Sequence, residues 1–211
     1  MKQSNIKSKN RNVSNGVKRT FDVVGSFLIL LITLPFLILI ALAIIFENGF
    51  PMLVKLDRVS EGEIVRVYKF RSMIKGAHAM KKDLKHLNER SDGPFFKIKN
   101  DPRLTSVGKF LRKIRVDELP QFINVLKGEL SIIGPRPHEL SEIEKYPDKY
   151  RKIPFAKAGV TGLSQISGAS ALNYLEELEL DLFYIENQSL WLDIKILFKT
   201  FWIFISDPTG V

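Results

Sequence analysis

The chain of 211 residues has no cysteine, so no disulfide staples it and no thiolate holds a metal. Histidine is scarce, with three in all. His78 and His86 lie two helical turns apart, too far for the tight pair of a helical zinc site, and His138 stands alone. No Gly-Lys-Ser/Thr occurs, which excludes a P-loop. No internal repeat and no low-complexity core is present. Acid is the minority charge: 23 Asp and Glu face 32 Lys and Arg, a net +9, with a pI of about 9.6. Such a balance suits nucleic acid, an anionic membrane surface or phosphate substrates. A long apolar run near the N-terminus favours the membrane.

The length fits one domain with an appendage, and a hydrophobic share of 45% is enough for a core. Residues 1–17 are polar and basic and read as a disordered arm. Residues 18–47 form the apolar segment, introduced by Lys18 and Arg19 and free of charge from Val23 to Phe46. At 1.5 Å per residue its roughly 24 uncharged residues are long enough to cross a bilayer. The run, which exits at Glu47-Asn48-Gly49, is too long for a good cleavable signal peptide. Pro35 sits mid-run and predicts a kink, because it removes a backbone hydrogen bond and crowds the preceding turn. Each half is then only about 17 Å long. A helix bent there enters and leaves by one face; a straight one crosses. Lys and Arg flank both ends, which by the positive-inside tendency places both in the cytoplasm. Sequence physics leaves the kinked span and the re-entrant hairpin both open.

Residues 48–211 are soluble in character and predict an α/β domain of the α+β kind, mostly helical. Ile64 to Phe70 reads as a short strand. Lys69 and Arg71 alternate with Phe70 and share a face; spacing alone favours a solvated face over an anion-binding one. Residues 76–90 and 138–150 read as helices. Thr105 or Ser106 caps a helix with Val107, Phe110, Leu111 and Ile114 on its apolar side. Ala158 to Gly168 is a glycine and hydroxyl stretch, suited to close backbone approach to a ligand or to plain turns. Tyr174 to Asn187 is helical. Leu190 to Phe204, capped by Ser189, carries tryptophans, phenylalanines and two lysines, fitting either an interfacial helix or a core one.

The centre of the chain is RKIRVDELPQFINVLKGELSIIGPRP, Arg112 to Pro137. Asp117 reads as an N-cap, Pro120 is tolerated in the first turn, and Gly128 stops the helix after Lys127. Two acids, Asp117 and Glu118, stand between arginines. A carboxylate can attack phosphorus or hold a metal, and guanidinium grips phosphate oxygens. The alternative is a simple cap. Gly134-Pro135-Arg136-Pro137 is a rigid turn that holds Arg136 at little entropic cost.

These blocks, with Lys18-Arg19-Thr20-Phe21-Asp22, Tyr68 to Met73, Asp101 to Thr105, Asn124 to Gly128, Gly159 to Gly162 and Asp181 to Asp193, resemble the bacterial sugar transferases. That family comprises small monotopic phosphoglycosyl transferases that initiate surface-glycan assembly. The resemblance covers about Val17 to Phe204. It implies a re-entrant helix broken at Pro35 and a catalytic domain on the cytoplasmic face of the cell membrane, among inner-leaflet phospholipids. It implies transfer of a sugar-1-phosphate from a UDP-sugar to undecaprenyl (polyprenol) phosphate, with UMP released. Asp117 is then the nucleophile and carries the phosphosugar in a ping-pong reaction, and Glu118 is its acid/base or orienting partner. Mg²⁺ bridges Asp117 and the diphosphate. Arg112 is a candidate for the lipid phosphate or a headgroup, Arg136 for the nucleotide, and Lys69 and Arg71 for further phosphate contacts. No nucleic-acid partner is implied, and a homo-oligomer is compatible. Two other readings stand beside this one. In one, the lipid phosphate displaces UMP directly and Asp117 only holds metal. In the other, the chain is a non-catalytic basic adaptor. The chain departs from the family's usual residues at Leu34 (often Ser), Ala158 (often Pro) and Ala169 (often Arg). Thr33, beside Leu34, is placed to bond backbone freed by Pro35.

Overall fold

The structure is a computed structural model that describes residues 2–168 and 171–206, with side chains described from Gly16 onward. Ala169 lies outside the described residues. The first element, α1 (Lys2–Asn48), keeps Pro35 inside it. Its helical backbone begins at Lys2, where the sequence predicts a disordered arm. Extending a helix costs far less than nucleating one, so the polar turns continue the apolar ones. Thr33 Oγ1 bonds the Ile29 carbonyl at 2.6 Å, one turn back, and not the Leu31 carbonyl whose partner Pro35 removes.

Both ends of the apolar part of α1 dock on the same globular body. At the N-terminal end, Lys18 Nζ reaches Asp193 Oδ2 at 2.7 Å and the Ile133 carbonyl at 3.0 Å. Arg19 donates to the carbonyls of Val125 and Leu126. Buried Asp22 accepts from Ser131 Oγ and the Ile132 amide. At the other end, Ile40 and Ile44 pack with Phe70, Leu111 and Val116, and Glu47 Oε1 accepts from the Ser106 amide at 2.7 Å. Between these anchors the surface is apolar and open, with Leu31, Ile32, Ile38 and Leu39 all more than half exposed. Lys18 and Arg19, which read as flanking charges in the sequence, are structural ties.

A hairpin follows. β1 (Leu53–Ser60) pairs antiparallel with β2 (Glu63–Phe70), Leu53 opposite Phe70 and Ser60 opposite Glu63. Next come α2 (Ser106–Lys113), capped by Thr105 accepting from the Gly108 amide, and α3 (Gln121–Lys127), stopped by Gly128 at φ 85°. Thus Thr105 is the cap and Gly128 the stop, as their residue types predict. The fully buried Asn124 fastens α3 to β2. Its Oδ1 accepts from the Tyr68 amide at 2.9 Å and its Nδ2 donates to the Arg66 carbonyl at 2.8 Å. One side chain therefore pairs with the strand edge and sets α3 beside Lys69.

Residues 76–90 form only 3₁₀ turns at Ala79–Lys81 and Lys85–Leu87, where the sequence predicts a helix. The segment 138–150 keeps just α4 (Leu140–Ile143) and a turn at Asp148–Tyr150. Neither stretch has a continuous apolar stripe long enough to sustain a helix by packing.

β3 (Ser131–Ile133) and β4 (Gly159–Thr161) form a two-stranded parallel pair. Glycine is required where they meet: a Cβ on Gly159 would lie 2.1 Å from the Gly134 amide nitrogen, and one on Gly162 the same distance from the Gly134 carbonyl oxygen. The close approach at these glycines is protein backbone on protein backbone. α5 (Leu163–Ile166), α6 (Tyr174–Glu186) and α7 (Leu190–Ser206) complete the fold. The main core gathers Val67, Phe122, Val125, Leu130, Ile132, Ile133, Tyr184 and Ile196. α7 buries Asp193 and Ile196 while Trp191, Ile194, Phe198, Phe201, Trp202 and Ile205 stand more than half exposed. Its aromatic face is outward, not in the core.

Candidate active site

Asp117 does not cap a helix. It lies in a 3₁₀ turn, Val116–Glu118, and α3 starts only at Gln121 after Pro120. Arg115 enters that turn in the left-handed conformation, φ 56°, at a cost of about 1–2 kcal/mol for a residue with a Cβ. The turn is held by Val116 in one apolar cluster and Asn124 in the next helix. It directs the two acids at β2. The sequence predicts a cap because Asp before a proline-led helix is the usual cap pattern; a tight turn three residues earlier satisfies the same residues.

The partner there is Lys69. Its ammonium lies 2.9 Å from Asp117 Oδ2 and 3.1 Å from Glu118 Oε1. Only the contact to Glu118 has hydrogen-bond alignment; Asp117 Oδ2 is enclosed without a hydrogen-bond donor. Asp117 is thus charge-compensated at short range yet not engaged by a directed bond. Burial pushes the Glu118 carboxyl up, but Lys69, Arg136 and Arg112 outweigh it and leave it below the usual carboxylate range. Glu118 is about a third exposed, so its charge also has solvent support. Lys69 and Arg71 leave the solvated face that their spacing favours: Lys69 is mostly covered and Arg71 is 4% exposed.

The acids open on a cavity of about 1410 Å³, lined among others by Lys69, Arg71, Arg112, Arg115, Asp117, Glu118 and Arg136. All six residues singled out from the sequence therefore share one cavity. Arg112 donates through Nε to Ser72 Oγ at 3.0 Å. Arg136 has an exposed side chain, while its amide donates to Asp181 Oδ2 at 3.2 Å. Asp181 is fully buried and also accepts from Ser164 Oγ at 2.8 Å. Burial pushes its carboxyl up to about 7. It pins the Gly134–Pro137 turn to α5 and α6. His138 is buried in the same wall, stacked on Phe95 and bonded through Nδ1 to the Tyr146 hydroxyl. Burial, with Arg136, Arg58 and Arg90 nearby, holds it far below the usual histidine range, so it is neutral. Spacing alone does not reveal Asp181, His138 or Asn124, since their partners lie 45, 8 and 56 residues away.

Among the described residues no group of three or more His, Asp or Glu side chains converges as a metal cage. Mg²⁺ is commonly held by one or two carboxylates together with substrate phosphates. The Asp117–Glu118 pair fits such an ion when a diphosphate completes the shell and Lys69 yields Asp117 Oδ2.

A family profile described as "Bacterial sugar transferase" matches residues 13–207. The chain is 42% identical over 191 residues to the undecaprenyl-phosphate galactose phosphotransferase of Salmonella typhimurium, covering 89% of this chain and 40% of that protein. It is 41% identical over 197 residues to the UDP-glucose:undecaprenyl-phosphate glucose-1-phosphate transferase of Escherichia coli, again 89% and 40%. The exopolysaccharide production protein ExoY of Rhizobium meliloti is 34% identical over 194 residues, covering 90% of this chain and 86% of that protein. The chain thus spans about 40% of the length of the first two and most of the third.

Proposed function

Because the chain belongs to the bacterial sugar transferase family, we propose that it moves a sugar-1-phosphate from a UDP-sugar to undecaprenyl phosphate, releasing UMP. An Asp117 carboxylate oxygen attacks the phosphorus that bears the sugar. The bond from that phosphorus to the bridging oxygen breaks, and UMP leaves with the electron pair. The lipid phosphate then attacks the same phosphorus and displaces Asp117, giving a lipid diphosphate sugar and the free carboxylate. Mg²⁺, when bound, neutralises diphosphate charge and offsets the repulsion between two anions. Lys69 compensates Asp117 in the resting site and stabilises charge as the leaving phosphate departs. Glu118 holds Lys69 and orients the nucleophile. Arg136 faces the nucleotide, Arg112 a lipid phosphate or headgroup, and Lys69 a phosphate of the donor.

The observation that carries this reading is the pairing of a buried, undonated Asp117 oxygen with Lys69, inside a cavity walled by arginine. A simple cap has no need of either feature. For α1, anchoring of both ends on one globular body supports a re-entrant helix at the cytoplasmic face, since a straight crossing would separate those ends. The outward aromatic face of α7 suits the headgroup layer. A site at that depth meets the lipid phosphate without extracting the polyprenyl chain, which would cost about 0.8 kcal/mol per exposed CH₂.

The test is UMP release over a panel of UDP-sugars, with purified protein, Mg²⁺ and undecaprenyl phosphate. Intact-protein mass spectrometry after UDP-sugar alone is expected to show one phosphosugar on Asp117. Asp117→Asn is expected to lose both signals. Full turnover in Asp117→Ala would end the covalent reading. Turnover without an adduct, with metal affinity lost in Asp117→Asn, would favour direct displacement.

A further inference from the structure

Arg71 is the one buried cation in the cavity wall that the fold leaves uncompensated among the described residues. It is 4% exposed. Its Nη2 donates to the Gly49 carbonyl at 2.5 Å, while Nε and Nη1 are enclosed without any partner. Arg103, equally buried, is treated differently: it is bonded to both oxygens of Asp101 and to the Ala77 carbonyl. Arg90 has Asp92 and Glu177. A buried guanidinium with no acid beside it is costly, and a bound anion would remove that cost.

Its position says where that anion comes from. Arg71 follows β2 two residues after Lys69, the partner of Asp117. Gly49, its carbonyl partner, directly follows α1. On either side of that junction Phe46 is 86% and Phe50 66% exposed. The Lys75 ammonium lies 3.9 Å from where a Cβ on Gly49 would stand. The line from Asp117 through Lys69 to Arg71 thus runs from the nucleophile to the end of the apolar helix, where two bare aromatic rings and a second cation sit. Bare aromatic rings at the end of an apolar helix are placed to meet an apolar chain, so the anion that suits this corner is a phosphate carried on one.

We propose that Arg71, backed by Lys75, is the subsite for the phosphate monoester of the lipid acceptor, seated at the membrane end of the cavity. This rests on the transferase reading above. The enclosed nitrogens meet the anion by rotation of the guanidinium toward the cavity it lines. A phospholipid headgroup offers the same phosphate chemistry, and the experiment separates the two.

Full-length protein in nanodiscs is compared with Arg71→Met, which keeps chain length without charge, and Arg71→Lys. The donor is whichever of UDP-glucose and UDP-galactose the panel selects. With donor alone, Arg71→Met is expected to give the same single-turnover UMP burst as wild type. With undecaprenyl phosphate, its KM for the lipid rises at least tenfold and the KM for the donor stays within twofold; Arg71→Lys falls between. Removal of a buried charge that has no acid beside it offsets loss of the bond to the Gly49 carbonyl, so the melting temperature of Arg71→Met stays level or rises, which an arginine held by a structural ion pair would not allow. Loss of the burst would move Arg71 to the donor side and overturn the proposal. An unchanged lipid KM would overturn it too. So would a fall in melting temperature of several degrees that accounts for the lost activity. If the lipid KM holds but phosphatidylglycerol nanodiscs stabilise wild type and not Arg71→Met, the occupant is a headgroup and the acceptor assignment fails. Should wild type itself give no burst yet turn over with lipid present, the covalent route is wrong, and the lipid KM still decides Arg71.

Discussion

Removing Lys69 tests how the site is held in its resting state. Lys69→Met leaves the Asp117 carboxylate, 4% exposed, without the ammonium 2.9 Å away. Breaking a buried pair from one side costs about 3–5 kcal/mol. The leg to Glu118 adds little, because that side chain is 36% exposed and solvent screens it. The cavity also admits water to the orphaned acid, so a loss of roughly 2–3 kcal/mol is expected, below the range for a sealed pair. For a chain of this size that is a fall of about 5–10 °C in melting temperature. The double variant Lys69→Met with Asp117→Asn is expected to recover most of it, since no buried charge is left unpaired. The assay is thermal unfolding in detergent at neutral pH for the four corners of the cycle. Glu118, the other partner of Lys69, adds a pH signature. The Glu118 carboxyl is held below its ordinary 4.5 by the surrounding cations, so the unfolded chain binds the proton first. The stability it contributes is full above about pH 4.5 and is lost as pH falls through the lowered folded value. Lys69→Met flattens that acid limb. Additive single variants, within about 0.5 kcal/mol, would refute the reasoning.

Asp181 has the opposite sign. Its folded value is pushed up to about 7 from an ordinary 3.8, so wild-type stability declines as pH rises from about 4 to 7. Asp181→Asn, which keeps an acceptor for the Arg136 amide, is expected to gain on wild type by roughly 2 kcal/mol between pH 5 and pH 8; parallel melting curves across that range would refute it. Gly108→Ala places a Cβ 1.9 Å from the Ser72 carbonyl oxygen, so α2 must move off the strand end. A drop in melting temperature of about 5 °C or more is expected, together with weaker catalysis, because Arg112 leaves Ser72. Since the chain has no cysteine, Val17→Cys and Asn48→Cys can each be labelled alone in right-side-out and inverted vesicles. Both are expected to react with an impermeant maleimide from the same, cytoplasmic side; labelling from opposite sides would show a crossing helix.

The candidate site was legible in part because its chemistry is carried by short runs. Asp117-Glu118 and Gly134-Pro135-Arg136-Pro137 are contiguous, and their residue types mean anionic or phosphate chemistry whatever fold surrounds them. Helices with strong signals appear where expected: Thr105 caps α2 and Gly128 ends α3. The Asp117 cap failed because cap and tight turn use the same residue types, and only Lys69 arriving from β2 decides between them. The glycines after Ala158 read as a possible ligand cradle, yet they are required by Gly134 on the neighbouring strand. Strand β1 carries a weak signal in sequence, since Leu53-Val54 and Asp57-Arg58 break its alternation, and pairing with β2 is what makes it a strand.

By itself the sequence determined the local matters: an apolar run with a proline at its middle, a surplus of positive charge, two acids flanked by arginines, and a rigid Pro-Arg-Pro turn. These depend on residue type and nearest neighbours, which the order of the chain specifies directly. Tertiary structure alone decided which charges are neutralised. It pairs Lys18 with Asp193 and Arg103 with Asp101, sets Lys69 against Asp117 and Glu118, and leaves Arg71 with a carbonyl but no acid beside it. Coulomb energy and desolvation depend on distance and burial, and those exist only once segments far apart in the chain have been packed together.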